Sequence, residues 1–190
     1  MKSIKFHWLT FVVLALAAGP AMADKYSDTI KLFRDAGQSS RFFDKSYGYA
    51  VFPTIGKAGF VVGGAYGEGR VYAAGQYIGD TSMAQLSVGW QLGGQGYSQI
   101  IFFEDKRALD EFTAGNFEFG ADAGAVAITA AAGGKASTAG SSANASGGMK
   151  DAVTAGSFYK GMAVFTIVKG GLMYEATISG QKFGYKPKGK

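Results

Sequence analysis

The apolar positions of this chain change period after the first forty-odd residues. From Tyr26 to Asp44, Ile30, Phe33 and Ala36 recur at a spacing of three, and Leu32 and Phe43 add to the apolar side. Lys31, Arg34, Asp35 and Arg41 fall mostly on the remaining surface. This spacing predicts an amphipathic helix packed on a sheet, with Ser27 as its cap. Gly37 weakens the middle and leaves two shorter helices as an alternative. The same segment suits a helix lying on a membrane, with apolar residues in the lipid and bases at the headgroups.

From Tyr49 onward the pattern is β. Tyr49–Phe52 predicts a strand that ends at Pro53. Phe60–Val62 leads into a glycine-rich stretch, Gly63 to Gly69, which reads as a bulged hairpin turn with Val71 and Tyr72 continuing as the next strand. Ala84, Leu86, Val88 and Trp90 alternate with Gln85, Ser87, Gly89 and Gln91, a period of two. The apolar run Ser98–Phe103 suits a central strand. Glu104-Asp105 then opens a short helix, Lys106–Thr113, with Leu109 and Phe112 facing inward. Phe117 and Phe119 flank Glu118, and Ala125–Thr129 is a weaker strand. Met162–Val168, Leu172–Ile178 and Lys182–Tyr185 read as three successive strands joined at Lys169-Gly170-Gly171 and Gly180-Gln181. The fold expected is mainly β with helices (α+β): a strongly curved antiparallel or barrel-like sheet, an N-terminal amphipathic helix, and one short helix after a central strand.

Residues 133–148 contain only Gly, Ala, Ser, Thr and Asn apart from Lys135. Such a stretch buries too little apolar surface to offset its ordering entropy, and is expected to be a mobile loop within one domain. At the N-terminus, Lys2 and Lys5 precede the apolar run Trp8–Ala18, and Ala21-Met22-Ala23 follows. Residues 1–23 therefore read as a secretory signal peptide, with one domain over 24–190 and a periplasmic destination, in solution or peripheral on a membrane.

Composition then narrows the chemistry. The chain has no cysteine, and its one histidine, His7, lies in the expected signal segment. What remains lacks the commonest general base and the usual zinc ligands, which favours binding over catalysis and predicts no cofactor or metal. Losing Lys2 and Lys5 lowers the formal charge from +5 to about +3. That excess permits attraction to an anionic lipid surface and is too weak to argue for nucleic acid.

Three motif matches are read as structural. Ser157-Phe158-Tyr159-Lys160 fits the S-x-x-K of exported serine enzymes, but its companion motifs are missing and its surroundings read as strand and turn. Gly63–Gly69 lacks the lysine of a phosphate-cradling loop. Asp105, Asp110, Glu111, Glu118 and Asp122 are expected to cap a short helix and solvate its outer face. Bases are more suggestive: Lys25, Lys31, Arg34, Arg41 and Lys45 lie on the first helical segment, and Lys182, Lys186, Lys188 and Lys190 interleave with Phe183 and Tyr185.

Read together, the β segments resemble the SYLF domain, also called the Ysc84 actin-binding or lipid-binding domain. The carrying residues are Tyr47-Gly48-Tyr49-Ala50-Val51-Phe52-Pro53, Gly56-Lys57-Ala58-Gly59-Phe60, the Gly63–Gly69 stretch, Gln85 to Gln95, Ile100-Ile101-Phe102-Phe103, and Gly171 to Gly180. The resemblance implies lipid binding, to phosphoinositides in eukaryotic members, and actin binding in some fungal ones. For an exported bacterial member it implies affinity for anionic phospholipid headgroups. The candidate lipid-binding residues are Lys31, Arg34, Arg41 and Lys45, with Lys57 and Arg70, and the aromatic Phe42, Phe43 and Tyr47, whose rings suit an interface. The alternative is an envelope structural or adaptor protein that binds another protein. An enzyme is the weakest reading, and the oligomeric state is open.

Overall fold

The computed structural model describes residues 24–59, 62–88, 96–120, 123, 126–130, 136–137, 158–169, 178 and 180–189. The expected signal peptide, Trp90, Ser157, Asp122, most of the 133–148 segment and, except for Ile178, the expected strand Leu172–Ile178 lie outside the described residues.

The N-terminal segment forms two helices, α1 (Lys25–Asp35) and α2 (Gly37–Ser40). The break falls at Ala36, which is extended (φ −84°, ψ 109°) and fully buried. The buried Ser39 hydroxyl donates to the Phe33 carbonyl at 2.6 Å, meeting an acceptor that the end of α1 leaves without a helical partner. Asp24, not Ser27, is the cap: its carboxylate accepts from the Tyr26 N–H at 3.4 Å.

The strands are β1 (Gly48–Gly59), β2 (Val62–Ala73), β3 (Gln76–Val88), β4 (Gly96–Phe103), β5 (Phe117–Glu118), β6 (Val126–Ala130), β7 (Ala136–Ser137), β8 (Met162–Lys169) and β9 (Lys182–Pro187), with α3 (Lys106–Thr113) following β4. They form a sheet in the order β5-β9-β3-β2-β1-β4-β8-β6-β7. Neighbours are antiparallel except β6 and β8. The short β7 lies inside the stretch expected to be loop and pairs with Thr129 and Ala130.

Two expectations about strand ends are corrected. Pro53 does not end β1. The ladder to β2 shifts register between Val51 and Thr54, and that irregularity accommodates the residue without an N–H. Nor is Gly63–Gly69 a turn; it is the middle of β2, paired residue for residue with β3. A Cβ on Gly67 would sit 2.6 Å from Ile55 Cγ1, and one on Gly69 2.7 Å from the Phe52 ring. Glycine is there because the neighbouring strand presses its large side chains into that space. The tight turn comes later, at Ala74 and Gly75, both with positive φ (48° and 77°).

The sheet is strongly curled. β9 and β4 are separated by three strands, so a flat sheet would hold them about 19 Å apart. Yet the Gln99 amide on β4 donates to the Gln181 side chain, just before β9, at 2.9 Å. Each face has its own core. The concave side gathers Phe52, Ile55, Met83, Tyr97, Ile101, Phe103, Phe112, Val164 and Phe183. The convex side, under α1 and α2, gathers Phe33, Phe42, Tyr49, Val51, Ile100, Phe102 and Phe165. No helix among the described residues is long and apolar enough to cross a membrane.

Candidate functional site

α1 and α2 lie on the convex face because Tyr26, Thr29, Phe33 and Ser39 point at the sheet. Their other side is left to solvent. Phe42, in the turn after α2, is only 3% exposed; its ring meets Phe102, Phe158 and Phe165 at centroid distances of 5.6, 5.1 and 4.9 Å. Phe43 is half-buried and edge-on to Tyr49 and Phe102. These two rings are committed to the core, leaving Tyr47, 43% exposed, as the aromatic of the three that faces water.

The bases divide into groups. Lys31 is exposed but holds Asp35 at 2.6 Å, one turn along α1. Arg34 is exposed and stacks its guanidinium 4.2 Å from the Phe43 centroid. It also lies close enough to the Tyr49 hydroxyl to interact with it electrostatically. Burial raises the pKa of that phenol, with Tyr72 adding to the rise and Arg34 opposing it. Arg41 lies 5.6 Å from the Phe42 centroid, and Lys45 is exposed in the same turn. A guanidinium resting on an aromatic face has its orientation restricted by that contact.

Arg70 and Lys57 do not join this surface in the same way. Arg70, on β2, pairs with Asp24 at 2.7 Å and lies 4.1 Å from the Tyr26 centroid and 5.3 Å from that of Tyr77. It fastens the start of α1 to the sheet. Lys57 stands opposite Ala65 near the far end of β1, about 30 Å along the strand from Gly48. The helical segment also carries Asp28, Asp35 and Asp44, so its cationic character is concentrated at Arg34, Arg41 and Lys45.

Pattern reading did not single out Lys106 as part of this surface. It begins α3, lies close enough to Tyr47 to interact electrostatically, and pairs with Asp110 at 2.6 Å. Two backbone bonds draw Tyr47 there: its N–H donates to the Phe103 carbonyl at 2.8 Å and its own carbonyl accepts from Ala74 at 3.2 Å. Both are long-range contacts that no local spacing reveals.

The acidic stretch has structural partners. Asp105 caps α3 through the Ala108 N–H at 2.8 Å, Glu111 pairs with Arg107, and Glu118 with Lys182, each at 3.4 Å. Tyr159 and Met162 exchange backbone bonds across a tight turn, so the Lys160 of the S-x-x-K match is not on a helix.

Comparison with known proteins adds the following. A family described as Ysc84, Las17-binding protein actin regulator, matches residues 84–186. The chain is also 31% identical over 157 residues to beta cell expansion factor A of Aeromonas veronii, across 81% of this chain and 51% of that protein. It thus spans about half the length of that relative.

Proposed function

This chain belongs to the Ysc84 family, and from that premise we propose that it is a non-enzymatic exported protein that binds anionic phospholipid headgroups from the periplasm. The contact is the exposed side of the N-terminal helices: Arg34, Arg41 and Lys45, with Lys31 beside them and Tyr47 at the interface. The observation that carries this reading is the pair of exposed guanidiniums resting on half-buried and buried rings, Arg34 on Phe43 and Arg41 on Phe42. Bases held in this way lose little freedom on meeting a phosphate, and each base near an anionic membrane contributes about 1 kcal/mol.

Sedimentation with vesicles tests it. The protein pellets with vesicles containing phosphatidylglycerol and less with neutral ones, and salt weakens the effect. The double variant R34E/R41E loses most of the binding. Equal pelleting with neutral vesicles, or none with either, removes the reading.

A second reading, an adaptor for another envelope protein, is favoured by one observation. On the convex face beyond the helices, Leu86 is 87% exposed and Tyr66 57%. Crosslinking in whole cells that recovers one dominant protein partner after delipidation would support it.

A further inference from the structure

The alternation of buried residues fixes what three strands present on the convex face. Ala65, Val71, Met83 and Phe183 point into the concave core, so the residues that alternate with them point the other way. The ladders then lay three rows across β2, β3 and β9: Tyr66, Ala84 and Lys182; Glu68, Ser82 and Gly184; and Arg70, Asp80 and Lys186. The middle row is low. Ser82 and Gly184 carry little or no side chain, while Tyr66, Glu68, Asp80 and Lys186 around them are exposed. A Cβ on Gly184 would lie 3.0 Å from the Ser82 hydroxyl, so glycine keeps this floor open.

Tyr26, at the start of α1, borders the same trough, and the result is a groove of about 520 Å³. That size falls within the roughly 300–1,000 Å³ of small-molecule sites. The Tyr26 hydroxyl lies within electrostatic reach of Asp80 and Glu68. Charge and shape then select the ligand. Asp80 has a cation opposite it on each neighbouring strand, Arg70 and Lys186, and Glu68 stands one row away. An anion in the groove meets Glu68 and Asp80; a cation meets Lys186 and Arg70. An uncharged ligand rich in hydroxyls meets neither obstacle, since a hydroxyl both donates to a carboxylate and accepts from an ammonium. Tyr66 belongs to neither core and is 57% exposed, so its ring is open to the C–H side of such a ligand.

We propose that this groove binds a short neutral saccharide, with a sugar ring seated over Ser82 and Gly184 against Tyr66 and its hydroxyls shared among Glu68, Asp80 and Lys186. The site uses none of Arg34, Arg41, Lys45 and Tyr47. It is separate from the lipid contact proposed above, and neither depends on the other.

Titration of the purified full chain with cellobiose and with N-acetylated chitobiose, followed by amide NMR, tests the assignment. The signals of Glu68, Ser82 and Lys186 shift saturably, and more than those of Arg34 and Phe165. Glucosamine, glucuronate and glycylglycine (a cation, an anion and a zwitterion) bind at least about tenfold more weakly. Glu68→Gln weakens the disaccharides by about tenfold. S82F lays a ring over Gly184 with a residue that suits a strand, and it abolishes binding while pelleting with anionic vesicles is unchanged. The shift map of the unmodified protein decides the matter if S82F does not fold. Retention on insoluble cellulose or chitin would support the site as one for internal units of a polymer, and disaccharide binding without retention would support it as one for a free sugar. The absence of saturable shifts with both disaccharides, shifts centred on Arg34, undiminished binding by folded S82F, or charged probes that bind as tightly would each overturn the proposal. Loss of vesicle pelleting with disaccharide binding intact would sink the surface reading alone.

Discussion

The convex and concave faces of this one sheet solve opposite problems. On the convex face side chains diverge, so β1, β4 and β8 need a separate layer, and α1 and α2 supply it through Phe33 and the rings around Phe102. On the concave face side chains converge. Space there is so short that Gly67 and Gly69 carry none, and the polar side chains of Gln99, Gln181 and Tyr97 are driven together with 2% exposure or less. Gln181 serves both others, donating to the Tyr97 hydroxyl at 3.0 Å and to Gln99 at 3.2 Å. The convex face thus holds its helices by aromatic packing. The concave face sets its curvature by small residues and meets its buried polar groups by bonding them to one another.

The largest test is of the convex layer. Phe102→Ala removes the ring that Phe43, Phe42 and Phe165 approach at 4.9, 5.6 and 5.9 Å. It is expected to cost about 3–5 kcal/mol by urea denaturation. The comparison predicts more than lost stability: early proteolytic cuts should concentrate in residues 24–45, because the helices lose their anchor. Cuts spread over the whole chain would mean that the two layers unfold as one.

Next is the concave side. Gly69→Val forces a branched side chain against Phe52 and Thr81, and should cost about 1–3 kcal/mol or more. Gly64→Val is its control in the same strand, because a Cβ there meets only the Gln85 carbonyl at 3.5 Å. It should be neutral or slightly stabilising, since valine suits a strand better than glycine. Equal losses in both variants would show that the glycines do not set the curl.

The same contrast explains what was legible beforehand. Local periodicity found β3, β4, α3 and β8, and the curved, mainly β fold with its helices, because those signals are set by neighbours in sequence. It misread Gly63–Gly69 as a turn, since the reason for those glycines is Phe52 and Ile55 on the adjacent strand. It found the period of β3 without revealing its facing: Met83 and Gln85 are buried while Ala84 and Leu86 face out. At the candidate surface the bases were readable as a cluster. That Phe42 is core while Tyr47 is exposed, and that Arg70 is bound to Asp24, depends on contacts between distant segments.

Alkaline pH probes the buried polar group. Burial raises the pKa of Tyr97, with Gln181 opposing the rise by hydrogen bonding. A raised folded pKa means that the unfolded chain loses its proton first. Stability from this residue is therefore complete below about pH 10 and declines above it, by at most about 1.4 kcal/mol per pH unit. Tyr97→Phe should flatten the decline measured from pH 9 to 11.5. An unchanged slope would assign it to other phenols, such as Tyr49 on the convex face.

The smallest effect on stability is the sharpest probe of the convex surface. Lys31 and Asp35 are 74% and 57% exposed, so their ion pair is largely screened and Asp35→Asn should change stability by no more than about 0.5 kcal/mol. Binding is another matter. The substitution removes one negative charge from α1 and releases Lys31 from its partner, so affinity for anionic vesicles should rise by up to about fivefold at low salt, near 1 kcal/mol. The gain should fade as salt is raised, because the charges involved are exposed. A stable variant with unchanged vesicle affinity would mean that the solvent side of α1 does not face the lipid, and would move the contact to the end of the convex face that the helices leave bare, around Tyr66 and Leu86.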